Sequence, residues 1–172
     1  MNKIKKILII DNQSLNLELL NNYILDIYTN IKILKSTTGI LGLNLSIKEI
    51  PDLIITDWNL PDFTGIELID SLKKNKITAN IPIIVCSDLM LSSENLRIAL
   101  ASGANDFIRK PIDKIEFQAR VNLVLQLSEF QRRTLKRKKL FKSTFESSNI
   151  GMCLISKKGK FLKTNQIGRA HV

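Results

Sequence analysis

The stretch from Pro51 to Gly65 constrains the chain most, because an apolar run stops there on a carboxylate and turns into a loop. Leu53, Ile54 and Ile55 form a run rich in β-branched side chains and too short for an amphipathic helix, so it reads as a strand buried on both faces. Strands of that kind belong to parallel sheets, whose ligands gather outside the carboxyl ends of the strands. Asp57 falls at such an end and is the candidate working residue. Asn59, Pro61, Asp62 and Gly65 then carry turn chemistry, with Gly65 able to supply a backbone geometry that a side chain forbids. An aspartate after a strand also caps helices, so Asp57 gains meaning from what the other strands end on.

Taken from the N-terminus, Lys5 to Ile10 is a β-branched and Leu run that ends on Asp11, followed by Asn12 and Gln13. Ser14 is expected to cap a helix whose apolar positions are Leu15, Leu19, Leu20, Ile24 and Ile27, with Glu18 and Asn22 facing out. Ile31 to Leu34 reads as a second strand, and Thr38 to Ile47 as a helix weakened by Gly39 and Gly42. After Gly65, Glu67, Leu68, Ile69 and Leu72 predict a third helix, closed by the polar segment Lys73 to Asn80. Pro82 to Cys86 is a continuous apolar run ending at Ser87. Ser92 and Ser93 open a fourth helix with Leu96, Ile98, Ala99 and Leu100, and Gly103 is placed to end it. Asp106 to Arg109 predicts a fifth strand that delivers Lys110, with Pro111 directly after. From Ile112 a helical pattern runs through Val121, Val124, Leu125 and Phe130. Strands alternating with helices in this way predict an α/β doubly wound sheet with right-handed crossovers.

At 172 residues the chain has room for one domain of common size with residues left over. Its 44% apolar and 24% charged content excludes the disordered and fibrous classes. Lys3, Lys5 and Lys6 precede an apolar run that Asp11 cuts short of a signal-peptide core, and no stretch approaches the roughly 20 apolar residues of a membrane span. A cytoplasmic location without membrane insertion is therefore expected. There Cys86 and Cys153 stay reduced, and each, lying in an apolar run, is expected to be a small buried side chain. The net charge of +10 is concentrated between Gln131 and Lys142, where Arg132, Arg133, Lys136, Arg137, Lys138, Lys139 and Lys142 stand without an acid. With no interleaved aromatics and no recognisable reading helix, a solvated basic linker helix is favoured over a nucleic-acid arm.

Strands one, three, four and five thus end on Asp11, Asp57, Ser87 and Lys110, which a parallel sheet brings to one edge. Each has an ordinary structural role to fall back on: Asp11 as a helix-start charge, Ser87 as a strand-end cap, Lys110 as a surface cation. Together they have a chemical logic. Two carboxylates, a backbone carbonyl and waters suit Mg²⁺, and a carboxylate beside that ion can attack a phosphoryl group held by Lys110 and the Ser87 hydroxyl.

The set resembles the response regulator receiver domain of two-component signalling, best known from bacteria. The matching motifs are Ile7 to Asn12 with Asn16, the Pro51 to Gly65 stretch, Ile81 to Ser87, and Gly103 to Pro111. The resemblance covers residues 1–125 and implies a flavodoxin-like five-stranded sheet of order 2-1-3-4-5. It also implies Asp57 as the phosphoacceptor, Asp11 and Asp57 with the Asn59 backbone carbonyl as Mg²⁺ ligands, Lys110 and Ser87 at the phosphoryl group, and Ser87 with Phe107 as the switch pair. A histidine kinase or phosphotransfer protein would be the donor, with self-phosphorylation and dephosphorylation as further activities of the module. Two positions depart from the pattern. Asn12 stands where the family usually has a second acid and direct metal ligand, which weakens Mg²⁺ binding, and Asp88 stands where a small residue commonly follows the switch hydroxyl. They motivate an alternative, a degenerate receiver that dimerises or docks without phosphorylation.

Residues 126–139 are expected to extend the last receiver helix as a basic linker, ending near Lys139. Leu123, Leu127, Phe130, Thr134, Arg137 and Phe141 have 4-3 spacing, but two polar seam positions make a poor coiled coil, and a homodimer through the helix 4/helix 5 face is an expectation only. Residues 140–166 resemble the opening of a PAS domain: a short helix, a strand through Cys153 to Ile155, a turn at Lys158 and Gly159, and a return strand from Lys160 to Thr164. Receivers followed by PAS domains resemble the front of cyclic-dinucleotide enzymes and hybrid kinases. Residues 167–172 match what a common sequencing-library adapter encodes, so a non-native tail is expected, and His171 with it.

Overall fold

The computed structural model describes residues 4–87 and 93–169, and for residues 93–96 and 168 the backbone alone. The readings of Asp88, Ser92 and His171, and of the side chains of Ser93 and Leu96, lie outside the described residues. The chain divides into two units, one running to Ser128 and one from Glu129.

In the first unit, strands β1 (Lys5–Ile10), β2 (Ile31–Ser36), β3 (Leu53–Asp57), β4 (Ile83–Ser87) and β5 (Asp106–Arg109) make one sheet of order β2-β1-β3-β4-β5. Every pairing is parallel, with Ile9 opposite Ile55, Ile55 opposite Ile84 and Cys86 opposite Ile108. Helices α1 (Ser14–Leu25), α2 (Gly39–Glu49), α3 (Gly65–Lys74) and α4 (Ser93–Ala101) connect the strands. A fifth helix, α5 (Lys114–Ser147), follows β5. The expected architecture and strand order are those observed.

Side chains alternate across a strand, so the β-branched runs supply two cores at once. Ile7, Ile9, Ile55, Ile84, Cys86 and Ile108 point to one face, where Leu17, Leu20 and Ile24 of α1 and Phe117, Val121, Val124 and Leu125 of α5 cover them. Leu8, Ile10, Ile54, Ile83, Val85 and Phe107 point to the other, under Leu68, Ile69 and Leu72 of α3 and Ala99 of α4. Each fully buried side chain of this kind contributes about 1.5–3 kcal/mol, which is why the strands read as unbroken apolar runs.

Several local expectations change. The N-cap position of α1 is Gln13, whose side chain makes no cap bond, so Ser14 is a helical residue and not a cap. Leu15 is 84% exposed and Leu19 is 38% exposed, while Leu17 is buried; the buried stripe is Leu17, Leu20 and Ile24, the i, i+3, i+7 face that meets the sheet. Ile27 lies beyond the helix. Strand β2 extends to Ser36 and helix α2 to Glu49, with Thr38 as the cap that accepts from Leu41 N–H. The two glycines do not break α2. A Cβ at Gly42 would lie 2.4 Å from Ile10 Cδ1, so the missing side chain lets the helix close on the sheet. Gly103, at φ +109°, follows α4 as expected of a helix stop. Gly65 owes its identity to close approach and not to an unusual φ, since a Cβ there would lie 3.1 Å from the backbone of Trp58.

In the second unit, α5 continues unbroken to Ser147, so the separate short helix expected after residue 140 is the last part of α5. Strands β6 (Cys153–Ile155) and β7 (Phe161–Thr164) pair antiparallel around a turn in which Gly159 has φ +79°, and α6 (Gln166–Arg169) follows. Phe141 and Phe145 stack at 5.7 Å, and Lys163 pairs with Glu146 at 2.9 Å. Cys153 is exposed, against expectation, because a two-stranded hairpin has an uncovered face. Cys86, inside the sheet, is buried as expected.

Candidate functional site

Asp11 directly follows β1, Asp57 and Ser87 are the last residues of β3 and β4, and Lys110 directly follows β5. Parallel pairing puts these ends on one rim. Backbone bonds fix the rim further: Asp11 N–H donates to Ser36 O at 3.1 Å, Trp58 N–H to Cys86 O at 2.9 Å, and Lys110 N–H to Ser87 O at 2.9 Å.

The Lys110 ammonium bridges the two carboxylates. Its Nζ donates to Asp57 Oδ1 at 2.8 Å and to Asp11 Oδ2 at 3.0 Å. Asp11 and Asp57 are buried, at 1% and 6% exposed, and Lys110 is half-buried against them. Burial pushes the Asp57 carboxyl above the ordinary carboxylate range; the Lys110 ammonium pulls it back in part, and the neighbouring Asp11 charge adds to the upward push. At Lys110 burial acts downward, but the hydrogen bonds and charges of Asp57 and Asp11 outweigh it and hold the ammonium above the ordinary lysine range. Lys110 is therefore a fixed positive charge against two carboxylates.

Asp11 has a second set of partners. Gln13 N–H donates to its Oδ1 at 2.9 Å, and Asn16 Nδ2 donates to Oδ1 at 3.2 Å and Oδ2 at 3.0 Å. Asn16 orients Asp11 from the first turn of α1, a role that its place in the motif did not by itself reveal. Asn59 is exposed, and its N–H reaches Asp57 Oδ2 at 3.3 Å. Asn12 is exposed beside Asp11. Ser87 is buried at the rim, while Phe107 lies in the core with Val85, Trp58 and Ala99 rather than at the surface. A cleft of about 450 Å³ opens beside the trio, lined by Gln13, Asn16, Leu19, Lys110, Pro111 and Ile112.

The donor set is one of hard oxygens, two buried carboxylates with exposed amides at Asn12 and Asn59. It suits a cation that prefers oxygen and keeps several waters, as Mg²⁺ does, and not a thiolate or imidazole metal. Asn12 leaves the rim one charge short of a three-acid set, and among the described residues no group of three or more His, Cys, Asp and Glu gathers anywhere.

Carboxylates and a lysine at the carboxyl rim of a 2-1-3-4-5 sheet define a class, the flavodoxin-like signalling modules. The model of the response regulator receiver domain matches residues 7–122, and the chain belongs to that family. Two curated relatives are the phosphate regulon transcriptional regulatory protein PhoB of Rhizobium meliloti and the response regulator PleD of Caulobacter vibrioides. The first is 40% identical over 79 residues, 46% of this chain and 34% of the relative. The second is 29% identical over 116 residues, 67% of this chain and 25% of the relative. This chain thus spans about a third of the length of the first and a quarter of the second. Among solved structures, a response regulator from Desulfuromonas acetoxidans has a TM-score of 0.63 at 32% identity, covering 72% of this chain and 98% of that one. The first unit is accordingly the receiver domain of a two-component system. Among the described residues no helix is long and apolar enough to cross a membrane.

Proposed function

We propose that Asp57 accepts a phosphoryl group from a partner histidine kinase or phosphotransfer protein and that the change is relayed through α4 and α5. The single observation that carries this is the Lys110 ammonium bonded to both Asp57 and Asp11. A cation already seated on the nucleophile's oxygen is where a transferred phosphoryl oxygen needs one. An Asp57 carboxylate oxygen forms the new P–O bond as the P–N bond of a donor phosphohistidine breaks, and the electron pair leaves on the imidazole nitrogen. Lys110 then exchanges a carboxylate oxygen for a phosphoryl oxygen, and the Ser87 hydroxyl donates to another. The cleft beside Lys110 gives a donor side chain room to approach.

Asp11, Asp57 and the Asn59 carbonyl would hold Mg²⁺, which when bound neutralises charge on the phosphoryl oxygens. Asn16 and Gln13 keep Asp11 turned toward the rim for that purpose. Phe107, a buried residue of β5 opposite Val85, is the switch partner of Ser87, and a homodimer through α4 and α5 has exposed Leu100 and Leu123 available to it. The module acts in the cytoplasm. For residues 140–166 the PAS reading is supported by the β6–β7 hairpin and by Asn165, whose buried amide ties Ile150 and Met152 to the end of β7.

Labelled acetyl phosphate with Mg²⁺ should transfer label to the wild-type chain and not to Asp57→Ala; equal low labelling of both would overturn the phosphoacceptor assignment. In that event a docking module that works without phosphorylation, favoured by the amide at Asn12, is the reading that stands.

A further inference from the structure

Asp62 lies on the exposed connection between β3 and α3, yet its carboxylate bonds to a different connection of the fold. Gly39 N–H donates to its Oδ1 at 2.7 Å and Ile40 N–H to its Oδ2 at 2.8 Å. These are the first two amides of α2, which have no acceptor within the helix. The rest of that turn is satisfied locally, with Leu41 N–H on the Thr38 side chain at 3.3 Å and Gly42 N–H on the Thr38 carbonyl at 3.0 Å. The start of α2 is therefore capped jointly by its own Thr38 and by a residue from the Asp57 loop. A carboxylate is favourable at a helix N-terminus. Burial pushes the Asp62 carboxyl upward, but the two amides together hold it below the ordinary carboxylate range.

A second contact welds the same two segments. A Cβ at Gly39 would lie 2.8 Å from Phe63 Cβ and 3.0 Å from Phe63 Cγ, so only a glycine permits the approach. The loop is also stiff within itself. Gly65 N–H donates to Trp58 O at 2.7 Å, Leu60 N–H to Phe63 O at 3.2 Å, and Asn59 and Thr64 form a backbone bridge. A displacement at the Asp62 tip consequently reaches Asn59, whose own N–H touches Asp57.

We propose that Asp62 is a positioning residue that ties the first turn of α2 to the loop carrying Asn59, so that the start of α2 and the wall of the Asp57 site move as one body. Its consequence for Mg²⁺ rests on the reading given under Proposed function; the mechanical coupling does not. The signal in the sequence was a charged turn residue, which by itself says only that a turn is present.

The test uses the full chain and three variants. Asp62→Ala removes both bonds, Asp62→Asn keeps one acceptor, and Thr64→Ala removes the cap of α3 within the same loop without touching α2. In amide hydrogen exchange without metal, Asp62→Ala should speed exchange about fivefold, the factor that loss of a helix cap corresponds to, both at residues 39–41 and at residues 59–65. Asp62→Asn should recover part of the protection, and Thr64→Ala should leave residues 39–41 unchanged. In a Mg²⁺ titration read by Trp58 fluorescence, Asp62→Ala should bind about tenfold more weakly, as on losing a partner behind a metal ligand, while Thr64→Ala should match wild type. Faster exchange at residues 39–41 alone overturns the coupling however magnesium behaves. An unchanged magnesium affinity in Asp62→Ala beside a responsive wild type overturns the positioning role. A wild type that ignores magnesium, with both segments loosened in Asp62→Ala, leaves the coupling standing and removes the metal site instead.

Discussion

The two units of the chain carry comparable local signals and bury very different amounts of apolar surface. In the first, Ile7 to Ile10, Leu53 to Ile55 and Ile83 to Val85 are all fully buried, because helices cover both faces of the sheet. In the second, Phe145 is the buried apolar side chain among the described residues, while Ile150, Ile155, Phe161 and Leu162 each stand more than half exposed. The hairpin is ordered by directed bonds instead. Asn165, fully buried, accepts from Met152 N–H at 2.9 Å and donates to Ile150 O at 2.8 Å, and Ser156 closes the turn by accepting from Lys160 N–H at 3.0 Å. Strand pattern and turn chemistry suffice to specify a hairpin; burial needs further layers, and two strands cannot supply them.

A matched pair of substitutions breaks or sustains that contrast with the largest effect. Ile54→Ala, in the middle of the sheet, should destabilise the first unit by about 3 kcal/mol, the usual cost of emptying a buried aliphatic site, read as a fall in the urea midpoint of Trp58 fluorescence. Phe161→Ala removes a larger side chain that is 66% exposed, and should change stability by less than about 0.5 kcal/mol, read by amide exchange across residues 153–164. Comparable losses at both sites would mean that the hairpin is packed against something in solution.

How much of this was legible in the sequence follows the same division. The β-branched runs ending on Asp11, Asp57 and Ser87, and the run delivering Lys110, specified the sheet and put these four residues at one rim, because a strand buried on both faces has few alternatives in sequence. Helix faces were less legible. The Leu-rich first helix, with Leu15, Leu17, Leu19 and Leu20 in succession, offers more than one apolar stripe, and only the sheet beneath selects the one through Leu17. Contacts between connections were not legible at all. That Asp62 caps α2 depends on which loops the fold sets side by side, while Asn16 grips Asp11 through local geometry five residues on, at the start of α1, and neither has a periodic signature. In α2 the glycines argued locally against a helix, yet Gly42 is required by a neighbour, Ile10, that lies far away in the chain. Nothing in the sequence marks a stop for the linker helix at residue 139, and α5 runs on to Ser147.

The polar latch of the second unit gives the next effect in size. Asn165→Ala removes two part-buried hydrogen bonds, from Met152 N–H and to Ile150 O, each worth about 0.5–1.5 kcal/mol. Amide exchange at residues 150–165 should rise accordingly while the sheet of the first unit keeps its protection. Equal loss of protection in β1 and β3 would mean that the two units unfold together.

The smallest effect is one of sign. Burial raises the Asp57 carboxyl above its unfolded value, so between the ordinary carboxylate pKa and that raised value the folded chain holds more protons than the unfolded one. Its contribution to stability therefore grows as pH falls through the raised value and is lost as pH rises. In the second unit Glu146 runs the other way: its hydrogen bond from Lys163 lowers its pKa, and its contribution is present above the ordinary glutamate value and fades as pH falls through the lowered one. Asp57→Asn isolates the first of these. At pH 7 the variant should melt above wild type, because it no longer keeps a buried charge beside Asp11. As pH is lowered through the raised value toward the ordinary carboxylate range, the wild-type carboxyl takes up its proton and the gap should close. A gap that widens would mean that the attraction of Lys110 outweighs the cost of burial at Asp57, and this group's pH response would then have the same sign as that of Glu146, whereas a constant gap would mean that the two effects cancel.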